Sequence, residues 1–127
     1  MKIFAKRVVC AMLGLALASN ANAGTLVCAG TVTELSFHAA ASVLVRLSGM
    51  NTAVFLCSVD TAWQVPGFVV PAAMSPSACK TVYASLLAAK ASNTTVGAMY
   101  FDADGLPANC TSFAPWQQVN LRYFNLQ

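Results

Sequence analysis

Charge is scarce in this sequence. Charged residues make up 9% of 127, and there is a single histidine, His38. That poverty excludes several functions. A nucleic-acid-binding face needs clustered Lys and Arg. Of the seven cations, Lys2, Lys6 and Arg7 crowd the first seven residues. Beyond them, Arg46, Lys80, Lys90 and Arg122 stand against Glu34, Asp60, Asp102 and Asp104, a balance of zero. No basic patch for nucleic acid and no polybasic face for a membrane remains. A catalytic triad would need His38 beside a nucleophile and a carboxylate. The nearest acids in sequence are Glu34 and Asp60, and no Gly-x-Ser-x-Gly segment marks a nucleophile. His38 therefore reads as a loop-edge histidine, and the chain as a non-enzyme. No Cys-x-x-Cys pair occurs either. With one histidine, neither a zinc site nor a redox dithiol is supported, and no metal or cofactor is expected. So few charges also leave little to hold copies of the chain apart, which favours self-association.

Long apolar runs are missing too. The longest, Val8 to Ala18, has about eleven residues, where a membrane helix needs about 20. The basic head, this run and the small residues Ala21-Asn22-Ala23 have the form of a secretory signal peptide. The expected boundaries are a cleaved signal over 1–23 and one domain over 24–127, exported to the periplasm or medium without membrane insertion. Cys10 leaves with the signal. Cys28, Cys57, Cys79 and Cys110 remain, an even number suited to two disulfides in an oxidising compartment. Four cysteines allow three pairings, and their spacing alone does not choose.

One stretch reads clearly as helix, Ser75 to Lys90. Ser75 suits the N-cap, and Pro76 falls at the first helical position, where its missing N–H costs nothing. Cys79, Val82, Tyr83, Leu86 and Leu87 recur at helical spacing as one apolar stripe. Lys90 sits in the last turn, where a cation suits the helix dipole. Asn93 can take a left-handed cap.

Everything else reads as strand and turn. Thr25 to Phe37 suits a long strand, with Gly30 as a bulge or bend. Leu26, Cys28, Gly30 and Val32 share one face, and after Glu34 the apolar positions move to Leu35 and Phe37. Residues 43–48 make a second strand, 48–51 a turn, and Ala53 to Val59 a third strand. An irregular connection through Trp63, Pro66, Gly67 and Pro71 follows, with a short extended piece at 68–70. After the helix come a fourth strand, Thr94 to Phe101, and a turn, Asp102-Ala103-Asp104-Gly105. A fifth strand covers Val119 to Phe124. The Asp102–Gly105 segment lacks the downstream glutamate of a calcium loop.

Three strands, a helix, then two strands is the order of an OB-fold, a mainly β, five-stranded Greek-key barrel with its helix between strands three and four. In that order strand one runs antiparallel beside strand four. Cys28 then lies near Cys110, and Cys57 is left for Cys79 at the helix start. The expected bridges are Cys28–Cys110 and Cys57–Cys79.

Several segments resemble the OB-fold B subunits of bacterial toxins with one A chain and five B chains. The likeness is to the subtilase cytotoxin and pertussis-like families. It is carried by Gly30-Thr31-Val32-Thr33 and Phe37-His38 in strand one and Phe55-Leu56-Cys57 in strand three. The helix pattern Cys79-Lys80-x-x-Tyr83-x-x-Leu86-Leu87 and the Tyr123-Phe124 ending add to it. The resemblance implies a homopentamer, with helices around a central pore, that binds cell-surface glycans and carries an enzymatic A-type partner. The helix face opposite the stripe is built of small residues, Ala78, Thr81, Ala84, Ser85, Ala88 and Ala91, which let helices approach closely. Alanine is also the best helix former on a solvated surface. In one respect the chain departs from the family. Sialic-acid-binding members place a serine before the strand-one glycine, and here Ala29 stands there.

Trp63 and Trp116 lie in loops beside amides, Gln64, Gln117 and Gln118. Aromatics with amide neighbours suit sugar stacking or a protein interface. Trp116, Trp63 and Gln117 are the candidate ligand-binding residues. The leading expectation is an exported binding subunit acting as a homo-oligomer. The alternative is a monomeric binding or inhibitor protein of the same fold without toxin function.

Overall fold

A computed structural model of the chain describes residues 23–68 and 73–127. All but the last residue of the signal peptide expected over 1–23, and most of the extended piece at 68–70, lie outside the described residues. Strand β1 spans Ala23–His38, a single 3-10 turn Ala39–Ala41, β2 Ser42–Leu47 and β3 Val54–Ser58. Helix α1 spans Pro76–Ser92, β4 Thr95–Asp104 and β5 Asn120–Leu126. The strands form one antiparallel sheet in the order β3-β2-β1-β4-β5. Strand number, the β1–β4 pairing and the place of the helix agree with the sequence reading.

β1 is long because it serves two neighbours. Its first half pairs with β4, from Ala23↔Asp104 to Thr31↔Thr95. Its second half pairs with β2, from Val32↔Leu47 to His38↔Ser42. Register shifts fall between Cys28 and Gly30 and between Val32 and Glu34, as bulges that turn the strand from one partner to the other. At Gly30 φ is +133°, and a Cβ there would run into Ser48 Oγ. The second shift explains why the apolar face changes after Glu34. It also leaves Thr33 out of the ladder register, although its Oγ1 donates to the Arg46 carbonyl of β2 at 3.1 Å. Lys90 Nζ donates to the Thr33 carbonyl at 2.9 Å, so this lysine serves the sheet as well as its own helix end.

The sheet does not close into a continuous barrel ladder. Its edges meet at one parallel bridge, Phe55↔Gln118. There Phe55 N donates to Gln117 O at 2.9 Å, and Val119 N donates to Phe55 O at 3.0 Å.

The helix is capped as its sequence requires. Ser75 Oγ accepts from Ala78 N at 3.2 Å, and Asn93 closes the helix at φ 54°, ψ 34°. Its buried residues are Cys79, Leu86 and Ala89, with Val82 and Tyr83 half-buried beside them. Leu87, expected in the stripe, is 47% exposed. Adjacent helical residues point about 100° apart, so a face centred on Leu86 takes Ala89 and leaves Leu87 outside. The core between helix and sheet is filled by Leu47, Leu56, Met99 and Phe101.

Both expected bridges are present, Cys28–Cys110 and Cys57–Cys79. Two disulfides belong to an oxidising, extracellular or periplasmic environment. Among the described residues no helix is long and apolar enough to cross a membrane.

The turn expected at Asp102–Gly105 needs correction. β4 runs through Asp104, and the chain turns at Gly105, where φ is +71°. Asp102 is fully buried in the strand. Its Oδ1 accepts from Thr25 Oγ1 at 2.7 Å, and its two oxygens accept from Arg122 Nη2 and Nε at 2.8 and 2.9 Å. A carboxylate in a sheet is tolerated here because the guanidinium fork and a hydroxyl satisfy it.

Candidate functional site

Where the sheet edges meet, the chain gathers aromatic rings. Phe55 projects from β3 at the bridge. The segment that pairs with it leads straight back to the turn at Pro115–Trp116. Proline presets φ for the first turn position. Trp116 then takes φ +61°, a left-handed conformation that a bulky side chain rarely adopts. Strain of this kind concentrates at binding and switch sites. The indole is 60% exposed. Its ring stacks on Phe55, with centroids 5.8 Å apart and 28° between planes. His38, at the end of β1, meets the indole edge-on at 4.8 Å and the Phe55 ring edge-on at 5.5 Å.

Beside the indole is a cleft of about 230 Å³. Glu34, Leu44, Thr52, Ala53, Pro115 and Trp116 line it. The floor is apolar, since Leu44, Ala53 and Phe55 form a small buried cluster. Two oxygen-bearing groups, the Glu34 carboxylate and the Thr52 hydroxyl, stand among these carbon surfaces. Among the described residues the one ion pair is Arg122–Asp102, so Glu34 has no cationic partner.

No protein-family model, curated protein or solved structure matches this chain. What the site does must be read from its own geometry.

The other two candidate ligand-binding residues are engaged in the fold. Trp63 is half-buried, packs against the Leu44, Ala53 and Phe55 cluster, and donates Nε1–H to the Val119 carbonyl at 2.9 Å. Both tryptophans thus rest on one cluster, Trp63 inside and Trp116 outside. Gln117 is half-buried. Its Oε1 accepts from Ala114 N at 3.3 Å and its Nε2 donates to Gly105 O at 3.2 Å. These bonds brace the turn that carries Trp116.

The helix residues expected at an oligomer interface lie on α1. Ala78, Thr81, Ala84 and Ala88 are exposed and Ser85 is half-buried. Thr81 Oγ1 donates to Ser77 O at 3.1 Å and Ser85 Oγ to Thr81 O at 2.9 Å. The hydroxyls are satisfied within the helix, so this face presents methyl groups with little unmet polarity.

A second aromatic pair lies elsewhere on the sheet. Tyr100 and Tyr123 stack across β4 and β5 with centroids 4.4 Å apart. The neighbouring Tyr100 hydroxyl holds the Tyr123 phenol above its usual pKa. Among the described residues no three His, Cys, Asp or Glu side chains converge as metal ligands.

Sequence reasoning missed Glu34, His38, Leu44, Thr52 and Phe55 as members of one site. No motif links them, because they come from β1, β2, β3 and the approach to β3.

Proposed function

We propose that this chain is an exported, non-enzymatic OB-fold binding subunit, similar to toxin B subunits, that recognises glycans through the Trp116 cleft and acts as a homo-oligomer. The strand order, the helix between β3 and β4, and the parallel bridge between the sheet edges support the five-stranded Greek-key barrel. Two disulfides support export. The observation that carries the binding reading is the exposed indole of Trp116, strained into place and backed by Phe55 and His38. A rigid aromatic face beside a carboxylate and a hydroxyl suits a ligand with carbon and hydroxyl surfaces, which describes a sugar. The non-enzymatic reading is supported by the surroundings of His38, whose close neighbours are rings.

The self-association reading rests on the small-residue face of α1 and on the near-neutral charge of the exported part. An enzymatic A-type partner is the corresponding proposal from the resemblance.

A glycan array probed with the purified, disulfide-bonded chain and with Trp116→Ala tests the binding reading. Saccharide binding that Trp116→Ala removes, with the far-ultraviolet circular dichroism unchanged, supports it. Identical profiles for the two proteins sink it. Light scattering tests the assembly. A mass near five chains supports the toxin-like ring, and a mass of one chain favours a monomeric binding or inhibitor protein.

A further inference from the structure

The geometry points to an uncharged hexopyranose as the sugar class that the Trp116 cleft selects, over an acidic sugar; this rests on the reading of the cleft as a glycan site. Three observations carry it. The first is charge. Among the described residues Glu34 is the only ionisable one that lines the cleft; His38 meets the indole edge-on and is not part of the lining. An acidic sugar would set its own carboxylate beside that of Glu34 with no cation in the lining to offset the repulsion. Arg46 stands opposite Glu34 in the β1–β2 ladder. Its Nε, however, donates to the Met50 carbonyl at 3.2 Å, and it does not line the cleft.

The second is hydrogen-bond sense. An ionised carboxylate only accepts. Among the described residues the Glu34 side chain takes one hydrogen bond, from Ser36 Oγ at 3.3 Å, which leaves acceptor capacity unused. Neighbouring hydroxyls of a neutral sugar are donors, and two of them can share one carboxylate. Thr52 can donate or accept, and so serves a ring oxygen or a further hydroxyl.

The third is size and surface. A cleft of about 230 Å³ falls below the roughly 300–1,000 Å³ of sites that enclose a drug-sized molecule. It suits one ring. The C–H face of a hexopyranose is flat and apolar enough to lie on the exposed indole, while Leu44, Ala53 and Pro115 cover its edges.

The experiment uses the disulfide-bonded chain on conjugates ending in glucose, galactose or mannose. The same conjugates extended by sialic acid, or oxidised to the uronic acid, are run beside them. At least one neutral terminus should bind about 10- to 100-fold better than its acidic counterpart. Glu34→Gln should weaken neutral binding and narrow the discrimination, while leaving the melting temperature within about 2 °C, since Glu34 is an exposed residue. Acidic conjugates that bind as well as or better than neutral ones, with binding lost in Trp116→Ala, would overturn the neutral-sugar inference and leave the glycan reading intact. No saccharide binding by the wild-type chain would overturn both.

Discussion

Trp116 lies over Phe55 at a ring separation of 5.8 Å, although the two are 61 positions apart in sequence. The contact exists because the backbone of Phe55 is bonded to Gln117 and Val119, in the short segment between the tryptophan's turn and β5. It costs a left-handed backbone at a residue whose side chain opposes it. Replacing Trp116 by glycine therefore has two opposing effects on stability. It relieves about 1–2 kcal/mol of backbone strain, and it removes ring contacts of about 0.5–1.5 kcal/mol each. The expected Trp116→Gly protein folds with a stability within about 1 kcal/mol of wild type and binds no glycan. Urea denaturation beside an array measurement checks both halves. A large loss of stability would assign the indole to the fold rather than to a ligand.

Arg122 and Asp102 form the one ion pair among the described residues, with the arginine side chain 29% exposed and the aspartate side chain fully buried. Removing the arginine leaves the carboxylate inside the sheet with Thr25 as its remaining side-chain donor. Arg122→Ala should cost about 3 kcal/mol. The double variant Arg122→Met with Asp102→Leu, which removes the charge together with its partner, should recover much of that loss. Equal stability for Arg122→Ala and wild type in chemical denaturation would contradict this account.

Gly30 sits at φ +133° against the Ser48–Gly49 turn. An alanine there meets both an unfavourable backbone and the Ser48 hydroxyl. A loss of about 2–4 kcal/mol is expected for Gly30→Ala, and partial recovery on adding Ser48→Gly. Thermal unfolding of the two variants checks the order.

The bridge Cys57–Cys79 ties the end of β3 to the first turn of α1 across 22 positions, and Cys28–Cys110 closes 82. Chain-entropy arguments give each about 3–5 kcal/mol. For a domain this small the sum approaches the whole of a typical stability. Full reduction should unfold the chain at room temperature. Replacement of the Cys57–Cys79 pair by alanine should leave a folded but less stable protein, read by the denaturation midpoint.

In the proposed homo-oligomer, a carboxylate placed on the exposed methyl face of α1 would repel its copies wherever helices meet. Ala84→Glu is expected to lower the mass seen by light scattering toward one chain without loss of helix content. An unchanged oligomer would place the contact on another surface.

Much of the framework was legible along the chain. The Ser75-Pro76 start and Asn93 stop of α1 obey capping rules that act over four residues. The strand order then followed, and with it the β1–β4 neighbourhood that pairs the cysteines. Signals failed where a residue's surroundings came from distant segments. Asp102 reads as turn chemistry, yet Thr25 and Arg122 make it a buried strand residue. Leu87 reads as core, yet Ala89 is taken in its place.

The amino-acid order by itself determined the helix with its caps, the strands, the even number of cysteines and the shortage of charge, because each depends on neighbours within a few residues or on composition. Only the tertiary structure decided the cleft. Glu34, Thr52 and Trp116 come together through bulges in β1 and one bridge between sheet edges. Those are consequences of register across the whole sheet, which no local stretch encodes.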